Sequence, residues 1–502
     1  MKLGVDFGTT RVVVAAVDRG NYPILTFETR EGTADWFPPA VALRGAERRY
    51  GWNAWMAQGE PGWTVVRSLK RVLEDAGTET SLDVDGTRHP LMDLLTGMTT
   101  ELRRALGLDD PLEVMLGVPA NANGNQRFLT TEAFRRAGFQ MLGLLNEPSA
   151  AAIEFGHSQK LKGRLLVYDL GGGTFDASLV DLDERTHTVV ASEGIATLGG
   201  DDFDHLLADL ALEHVGPVEL SAGELFRLLE ECRRQKEALH PNSRKIVVDL
   251  DHAREGWGQV TIPVAAYYER CQPLVEETMR RVSALVGDAE IEALYVTGGG
   301  SELPLVARLL REEFGRRVRR SAYTRSATAI GLAIQADALS GYTLHELFSR
   351  NFGVWREGEG GRAMVFDVIF PRGTRLPAPG EPSIVARRSY RPVHNVGHFR
   401  YLEASHLDGD GQPAGDIAVW DEVWFPLDPA LGGHADLARV AVQRSEAAVG
   451  QQVEERYACS ATGSLAVTIQ NLTSGYARQY TLGRWSEKPR VVPAPATKRR
   501  RR

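Results

Sequence analysis

Two short stretches carry residues that could grip a phosphate chain. Asp6-Phe7-Gly8-Thr9-Thr10 joins one carboxylate to a glycine turn and two hydroxyls, and Asp169-Leu170-Gly171-Gly172-Gly173-Thr174-Phe175-Asp176 sets three glycines between two carboxylates. Glycine backbones let N–H groups approach an anion closely, and flanking carboxylates suit a hydrated magnesium ion. The first stretch alone reads equally as a plain turn, because Asp and Gly are ordinary turn residues. Facing each other, the two would form a phosphate clamp. A purely structural pair of tight turns is the alternative.

The elements that must hold these loops follow from pattern. Leu3 to Asp18 and Leu165 to Asp181 both read apolar run, Asp, glycine turn, Thr, apolar run. Each predicts a β-hairpin, and the repetition predicts a duplicated α/β lobe whose hairpins face across a cleft. Between them, helical spacing runs over Pro90 to Leu106 and Asn125 to Phe139, and Leu112 to Pro119 reads as a buried strand. After the second hairpin, Asp202 to His214, Ala222 to Leu239, Ala265 to Val286, Pro304 to Phe314 and Ser326 to Ala338 are helical by period. Ala293 to Thr297 is a strand entering Gly298-Gly299-Gly300. The texture changes near Gly341. From Ala363 to Trp485 short runs rich in β-branched and aromatic residues, such as Met364 to Phe370, Ile417 to Phe425 and Leu465 to Ile469, predict a separate antiparallel β domain. We therefore divide the chain into an α/β unit at 1–340, a linker at 341–348, a β sandwich at 349–486, and a disordered basic tail at 487–502.

Composition narrows the function classes. A chain of 502 residues exceeds one ordinary core, and 43% hydrophobic with 25% charged residues is globular rather than fibrous, disordered or membrane-embedded. A net charge of -8 gives no general attraction to nucleic acid or anionic lipid. Cys232, Cys271 and Cys459 are too scattered for a disulfide framework or zinc site, which fits a reducing cytoplasm. Met1 to Asp6 enters a strand pattern without a signal peptide's apolar core, and no apolar run approaches the roughly 18 residues of a membrane span. Lys498 to Arg502 is basic and reads first as a solvated tail.

The paired loops resemble the phosphate loops of the actin, sugar-kinase and heat-shock ATPase superfamily, and their wording is closest to the DnaK-type heat-shock chaperones. Val118-Pro119-Ala120 with Asn125-Gln126-Arg127, Leu145-Asn146-Glu147-Pro148-Ser149-Ala150-Ala151-Ala152, and Leu198-Gly199-Gly200-Asp201-Asp202-Phe203-Asp204 are similar to that family in order and spacing. The resemblance is strong over about residues 1–340 and looser over 341–486. It implies a two-lobed actin-like (ribonuclease-H-like) ATPase domain followed by an all-β sandwich.

Carried over by resemblance, Asp6, Asp169 and Asp176 surround magnesium, while Thr9, Thr10, Gly171, Gly172, Gly173 and Thr174 cradle the β- and γ-phosphates. Lys70 and Glu147 stand beside the attacking water, so Lys70, Glu147, Asp169, Thr174 and Asp176 form the catalytic set. Gly8, Arg11, Gly199, Gly200, Asp201, Lys236, Gly298, Gly299 and Gly300 complete the site for ATP or ADP. Potassium is a further ion the resemblance allows. From residues alone Lys70 is a lysine on an amphipathic segment, and solvated surface is its default reading. The nucleoside end departs from the family: Glu302 and Glu237 replace arginines, Arg233 replaces an acid, and Arg325-Ser326 replaces an acidic pair. Such exchanges bear on adenine recognition.

The resemblance implies an ATP-dependent chaperone that couples hydrolysis to binding and release of unfolded polypeptide. Pro119 and Arg127 match a switch and relay between the lobes and the β domain. J-domain and nucleotide-exchange co-chaperones are the implied partners, with no membrane and no specific nucleic acid. The family's acidic, leucine-rich connector is reduced to Leu344-His345-Glu346-Leu347-Phe348, and nothing after Trp485 is long enough for its helical lid. A nucleotide-gated adaptor or scaffold for one partner is the alternative. A small-molecule kinase lacks any candidate base for a substrate hydroxyl.

Overall fold

A computed structural model describes residues 1–482 and 491–493, except 31, 59, 74, 75, 78, 110, 160, 359–362, 379 and 462. Strand Lys2–Phe7 turns back at Gly8 and pairs antiparallel with Val12–Ala16. On its other side it lies parallel to Glu113–Val118, which in turn pairs parallel with Gln140–Asn146. The second lobe repeats the plan. Strand Gly163–Leu170 pairs antiparallel with Phe175–Asp183 and parallel with Ala293–Thr297, within a six-stranded sheet. In both lobes the glycine loop is the tip of the hairpin that follows the first strand.

The helices start and stop for local reasons. Leu91–Leu106 buries Leu91, Leu94, Leu95, Met98 and Leu102 along one stripe and ends where Gly107 adopts φ 62°. Asn123 and Gln126 form a reciprocal capping box at the start of Gly124–Arg136, as Ser221 and Glu224 do for Ala222–Glu237. Glu147–Gln159, which sequence analysis quoted only as a motif, is a helix buried over nearly its whole length. It packs against the equally buried helix Ala327–Ala336, and a Cβ on Gly331 would lie 1.7 Å from the Ala150 carbonyl oxygen. These two small-residue helices and their neighbours form a core between the two sheets, distinct from the core of each lobe.

From residue 351 the chain forms two four-stranded antiparallel sheets. One runs Ala363–Phe370, Asn351–Gly358, Val396–Leu407, Pro413–Pro426, and the other Ile384–Tyr390, Val453–Cys459, Leu465–Asn471, Ala477–Thr481. Phe352, Tyr401, Phe425, Tyr457 and Val467 fill the space between them. This sandwich sits against the first lobe. Trp420 lies so close to Gly124 that a Cβ there would meet its ring at 1.9 Å, and the Gly124 N–H donates to Glu403 Oε1 at 3.0 Å. Buried Arg350 pairs with the same carboxylate at 3.1 Å.

Two segments differ from expectation. Thr343–His345, read as linker, is a strand parallel to Thr186–Thr188 at the edge of the second lobe's sheet; Leu344 is fully buried there. The remainder of the expected linker joins the sandwich, with Leu347 bridged to Arg375. Val491–Pro493, read as part of a disordered tail, pairs parallel with Ser81–Asp83; its two β-branched valines suit a strand. The rest of the tail, including Lys498 to Arg502, lies outside the described residues, as do residues 483–486 of the expected sandwich. Among the described residues no helix is long and apolar enough to cross a membrane.

Candidate active site

Four backbone loops meet between the lobes, and glycine is required where they touch. A Cβ on Gly172 would lie 2.4 Å from Thr10 Oγ1, and one on Gly173 would lie 2.5 Å from Thr9 Cγ2. On the far side Gly200 N–H donates to the Gly171 carbonyl at 2.9 Å, and Asp201 N–H to that of Gly172 at 2.7 Å. Gly298, at φ 84°, places its Cα against the Leu170 carbonyl. The two hairpin tips therefore face each other, held by the 199–201 and 298–300 loops.

Asp6, Gly8, Thr9, Thr10, Arg11, Lys70, Glu147, Asp169, Gly171, Gly172, Thr174, Gly200, Asp201, Lys236 and Gly298–Gly300 all line one cleft. Three expected residues do not. Gly173 and Gly199 pack against neighbouring backbone and side chains as spacers, because the loop turns them away from the opening. Asp176 lies one layer deeper, where its Oδ1 accepts the Ala120 N–H at 3.0 Å. It lines an adjoining cavity of about 300 Å³ with Thr9, Lys70, Thr174 and Pro119 that reaches Arg350 and Ser405 of the sandwich.

Lys70 is not on the surface. It opens a short 3₁₀ turn, Lys70–Leu73, and its Nζ donates to Glu147 Oε1 with both side chains under 10% exposed. Burial pulls its ammonium pKa down, but Glu147 and Asp6 outweigh burial and hold it above the ordinary lysine value. Burial and then the Glu147 charge push Asp6 up to about 7, against the pull of Lys70. Asp176 also rises to about 7, for the same two reasons, and Asp169 rises well above the ordinary range through burial, Glu147 and Asp6. Four carboxylates thus share one buried ammonium. That excess of negative charge is what a divalent cation would balance, so the donor set fits magnesium. Among the described residues no three Asp, Glu, His or Cys form a group that would hold a metal ion directly.

The far end of the cleft is ionic. Glu237, at the last turn of helix Ala222–Glu237, accepts from Arg11 Nη2 at 3.1 Å on both oxygens and from Arg233 Nε at 3.1 Å. Arg325 Nη1 reaches it at 3.0 Å and also pairs with Glu302. Burial alone would raise the Glu237 carboxyl, but Arg11, Arg233 and Arg325 bring it down to about 2. Arg11, expected at the nucleotide, thus ties the first lobe to the second. Lys236 donates to the Gly200 carbonyl at 2.6 Å and pairs with buried Asp204 at 2.7 Å, so it braces the 199–201 loop.

Several site residues were absent from the expected set. Asp204 stands four residues after Gly200 on helix Gly200–Leu212, the spacing that puts both on one face. Arg71, beside Lys70, pairs with Asp201 across the cleft at 3.2 Å. Thr324 and Thr328 line the cleft from a turn and a helix start that carry no distinctive pattern.

The Lys70–Glu147 pair is also joined to the connector. Glu346, buried between the first lobe and the sandwich, accepts the Asn146 N–H at 2.8 Å and its Nδ2 at 2.6 Å. Arg127 donates to Asn146 Oδ1 at 2.6 Å. Asn146 directly precedes Glu147, the partner of Lys70.

Comparison with known proteins agrees with this arrangement. A family model described as Hsp70 protein matches residues 92–349. The chain is 32% identical over 409 residues to the chaperone protein HscA homolog of Vibrio parahaemolyticus, covering 74% of this chain and 64% of that protein. It is 32% identical over 414 residues to chaperone protein HscA of Serratia proteamaculans, with the same coverage. With the HscA homolog of Methylibium petroleiphilum it shares 34% over 369 residues, 68% of this chain and 58% of that one. The chain thus spans less than two thirds of the length of these relatives. A family match over half the chain, on a fold with two facing glycine-tipped hairpins, shows that this protein belongs to the Hsp70 family.

Proposed function

We propose that this chain binds ATP with magnesium in the cleft, hydrolyses it, and uses the closure of the lobes to control how the β sandwich holds a polypeptide. The observation that carries this reading is the buried Lys70–Glu147 pair on the floor of a glycine-lined cleft. Phosphoryl transfer to water asks little covalent chemistry of a protein and depends on positioning and charge. Magnesium, when bound, would neutralise charge developing on the phosphates; Asp6, Asp169 and Asp176 would hold its waters. Lys70 Nζ would steady the γ-phosphate and the attacking water, and Glu147 keeps that ammonium charged and oriented. Gly171, Gly172 and the Thr9, Thr10 and Thr174 hydroxyls would donate to phosphate oxygens.

The route to the sandwich is supported by the contacts from Glu147 through Asn146 to Glu346, and from Asp176 through Ala120 to the loop before Gly124, which meets Glu403. A changed cleft geometry at Lys70 or Asp176 would be felt at both places. The test is a labelled unfolded peptide bound to the full chain. Release accelerated by magnesium ATP supports the coupling, and release indifferent to nucleotide refutes it.

A dedicated partner, rather than many unfolded segments, is favoured by one feature. The sandwich interior near Tyr390 is occupied by Arg356 with fully buried Glu455, at 2.7 Å, and with Asp367, at 2.6 Å. A charged interior offers less to a generic apolar side chain than a greasy slot would. Binding of one protein but no member of an unfolded-peptide panel would select the adaptor reading.

A further inference from the structure

We propose that the groove between helix Pro304–Phe314 and strand Val318–Arg320 is a docking site for an acidic polypeptide segment of a partner protein. Residues 308–320 hold six arginines against two glutamates, in a chain whose net charge is -8. All six arginines are exposed. Among the described residues the guanidinium groups of Arg311, Arg316, Arg317 and Arg320 have no ion pair or hydrogen bond. Arg319 Nη1 donates to the Arg316 carbonyl at 2.7 Å, and Arg308 meets Glu312 only at 3.9 Å. Leaving four such cations unpaired side by side repels them from one another, so their grouping asks for an anionic partner.

Val318–Arg320 is the last strand of the six-stranded sheet, and charge on an edge strand guards against edge-to-edge pairing. Guarding does not account for Arg308 and Arg311, which stand on the helix. Together with Arg320 they line a cavity of about 840 Å³ between helix and strand. Val318 and Arg320, two apart on the strand, both face it. Leu239, Pro241, Tyr268 and Ala307 add apolar surface to the lining. Three acids also line the cavity, and each already has a cation: Glu237 holds Arg11, Arg233 and Arg325, Glu302 holds Arg325, and Glu312 faces Arg308. Arg311 and Arg320 are left without a counter-charge, and Arg316 and Arg317 continue the same sign along the turn Gly315–Arg317 that joins helix to strand. Arginine forks grip carboxylates in paired bonds, and the apolar lining takes the uncharged side chains between them. A nucleic-acid strand would use the arginines, leave the apolar lining idle and meet the repulsion of the chain's overall charge.

The experiment is fluorescence anisotropy of the full chain with three labelled probes: a peptide of alternating glutamate and leucine, its counterpart with glutamine for glutamate, and single-stranded oligothymidylate. Wild type should bind the glutamate peptide about tenfold or more tighter than the glutamine peptide at low salt, and added salt should narrow the gap. Arg311→Glu combined with Arg320→Glu should weaken the glutamate peptide by about tenfold or more and the glutamine peptide by less than about threefold. Both side chains are exposed, so the melting temperature should not move. Arg88→Glu combined with Arg391→Glu changes net charge equally at two exposed sites in the first lobe and the sandwich, and should weaken the glutamate peptide by less than about threefold. Equal losses in the two double variants would overturn the proposal, because binding would then follow net charge or another site. A glutamate peptide that does not bind, or binds no tighter than the glutamine peptide, would also overturn it. Tighter binding of oligothymidylate than of the glutamate peptide would overturn it in favour of a nucleic-acid surface.

Discussion

Glu346→Ala removes the carboxylate that ties the connector to the strand ahead of Glu147. Two donors then lose their acceptor, the Asn146 N–H at 2.8 Å and its Nδ2 at 2.6 Å. A buried donor left unpaired costs about 1–3 kcal/mol. Against this, burial already raises the Glu346 carboxyl pKa, so removing the group returns part of its own desolvation cost. The net should be about 2–3 kcal/mol, paid locally, because the neighbouring core is untouched. Hydrogen exchange of the Asn146 amide reads this directly, and should accelerate by about 30- to 150-fold. Glu346→Gln keeps one acceptor oxygen and should give a smaller acceleration. Hydrolysis should slow in step, since Asn146 leads into Glu147. Unchanged protection of Asn146 in the alanine variant would refute the claim that Glu346 anchors this strand.

Three other substitutions follow from the same kind of reading. Gly331→Ala drives a methyl to within 1.7 Å of the Ala150 carbonyl at a helix crossing where backbone must move, and thermal melting should show a loss of about 3 kcal/mol or more. Glu455→Ala takes one of two carboxylate partners from Arg356, which keeps Asp367, and should cost about 1.5–3 kcal/mol in the same melting experiment. His187 is buried, and burial alone lowers its pKa to about 4. The unfolded chain therefore binds more protons between pH 6.5 and 4, and stability falls as pH drops through that window, by at most about 3 kcal/mol. In His187→Phe the acid slope of the unfolding midpoint over that window should flatten; an unchanged slope would contradict the assignment.

Much of the fold was legible because its signals are local and repeated. The two hairpins share one pattern of apolar run, Asp and glycine turn, and helices such as Leu91–Leu106 and Ala222–Glu237 carry apolar stripes with capping residues at their ends. What was hidden depends on partners distant in sequence. Lys70 looks like a surface lysine until Glu147, 77 residues on, neutralises it in the interior. The ionic far end of the cleft draws Arg11, Arg233, Glu237, Glu302 and Arg325 from four separate elements, and charged residues in isolation carry no sign of whom they will meet. Thr343–His345 has too short an apolar run to announce a strand, and forms one because the edge at Thr186–Thr188 was free to accept it. Helix Glu147–Gln159 is buried all round from Glu147 to Gly156, polar Glu147, Ser149 and Glu154 included, so it has no apolar stripe to read.

The central claim is that Lys70, buried against Glu147, drives hydrolysis of a nucleotide in this cleft. Single-turnover hydrolysis of magnesium ATP by wild type and Lys70→Ala, with binding measured in parallel, tests it most directly. The account predicts that Lys70→Ala retains nucleotide binding and loses hydrolysis by about a hundredfold or more, the scale of removing one group that stabilises transition-state charge. Equal hydrolysis by both proteins, or tight binding by wild type with no hydrolysis at all, would contradict it.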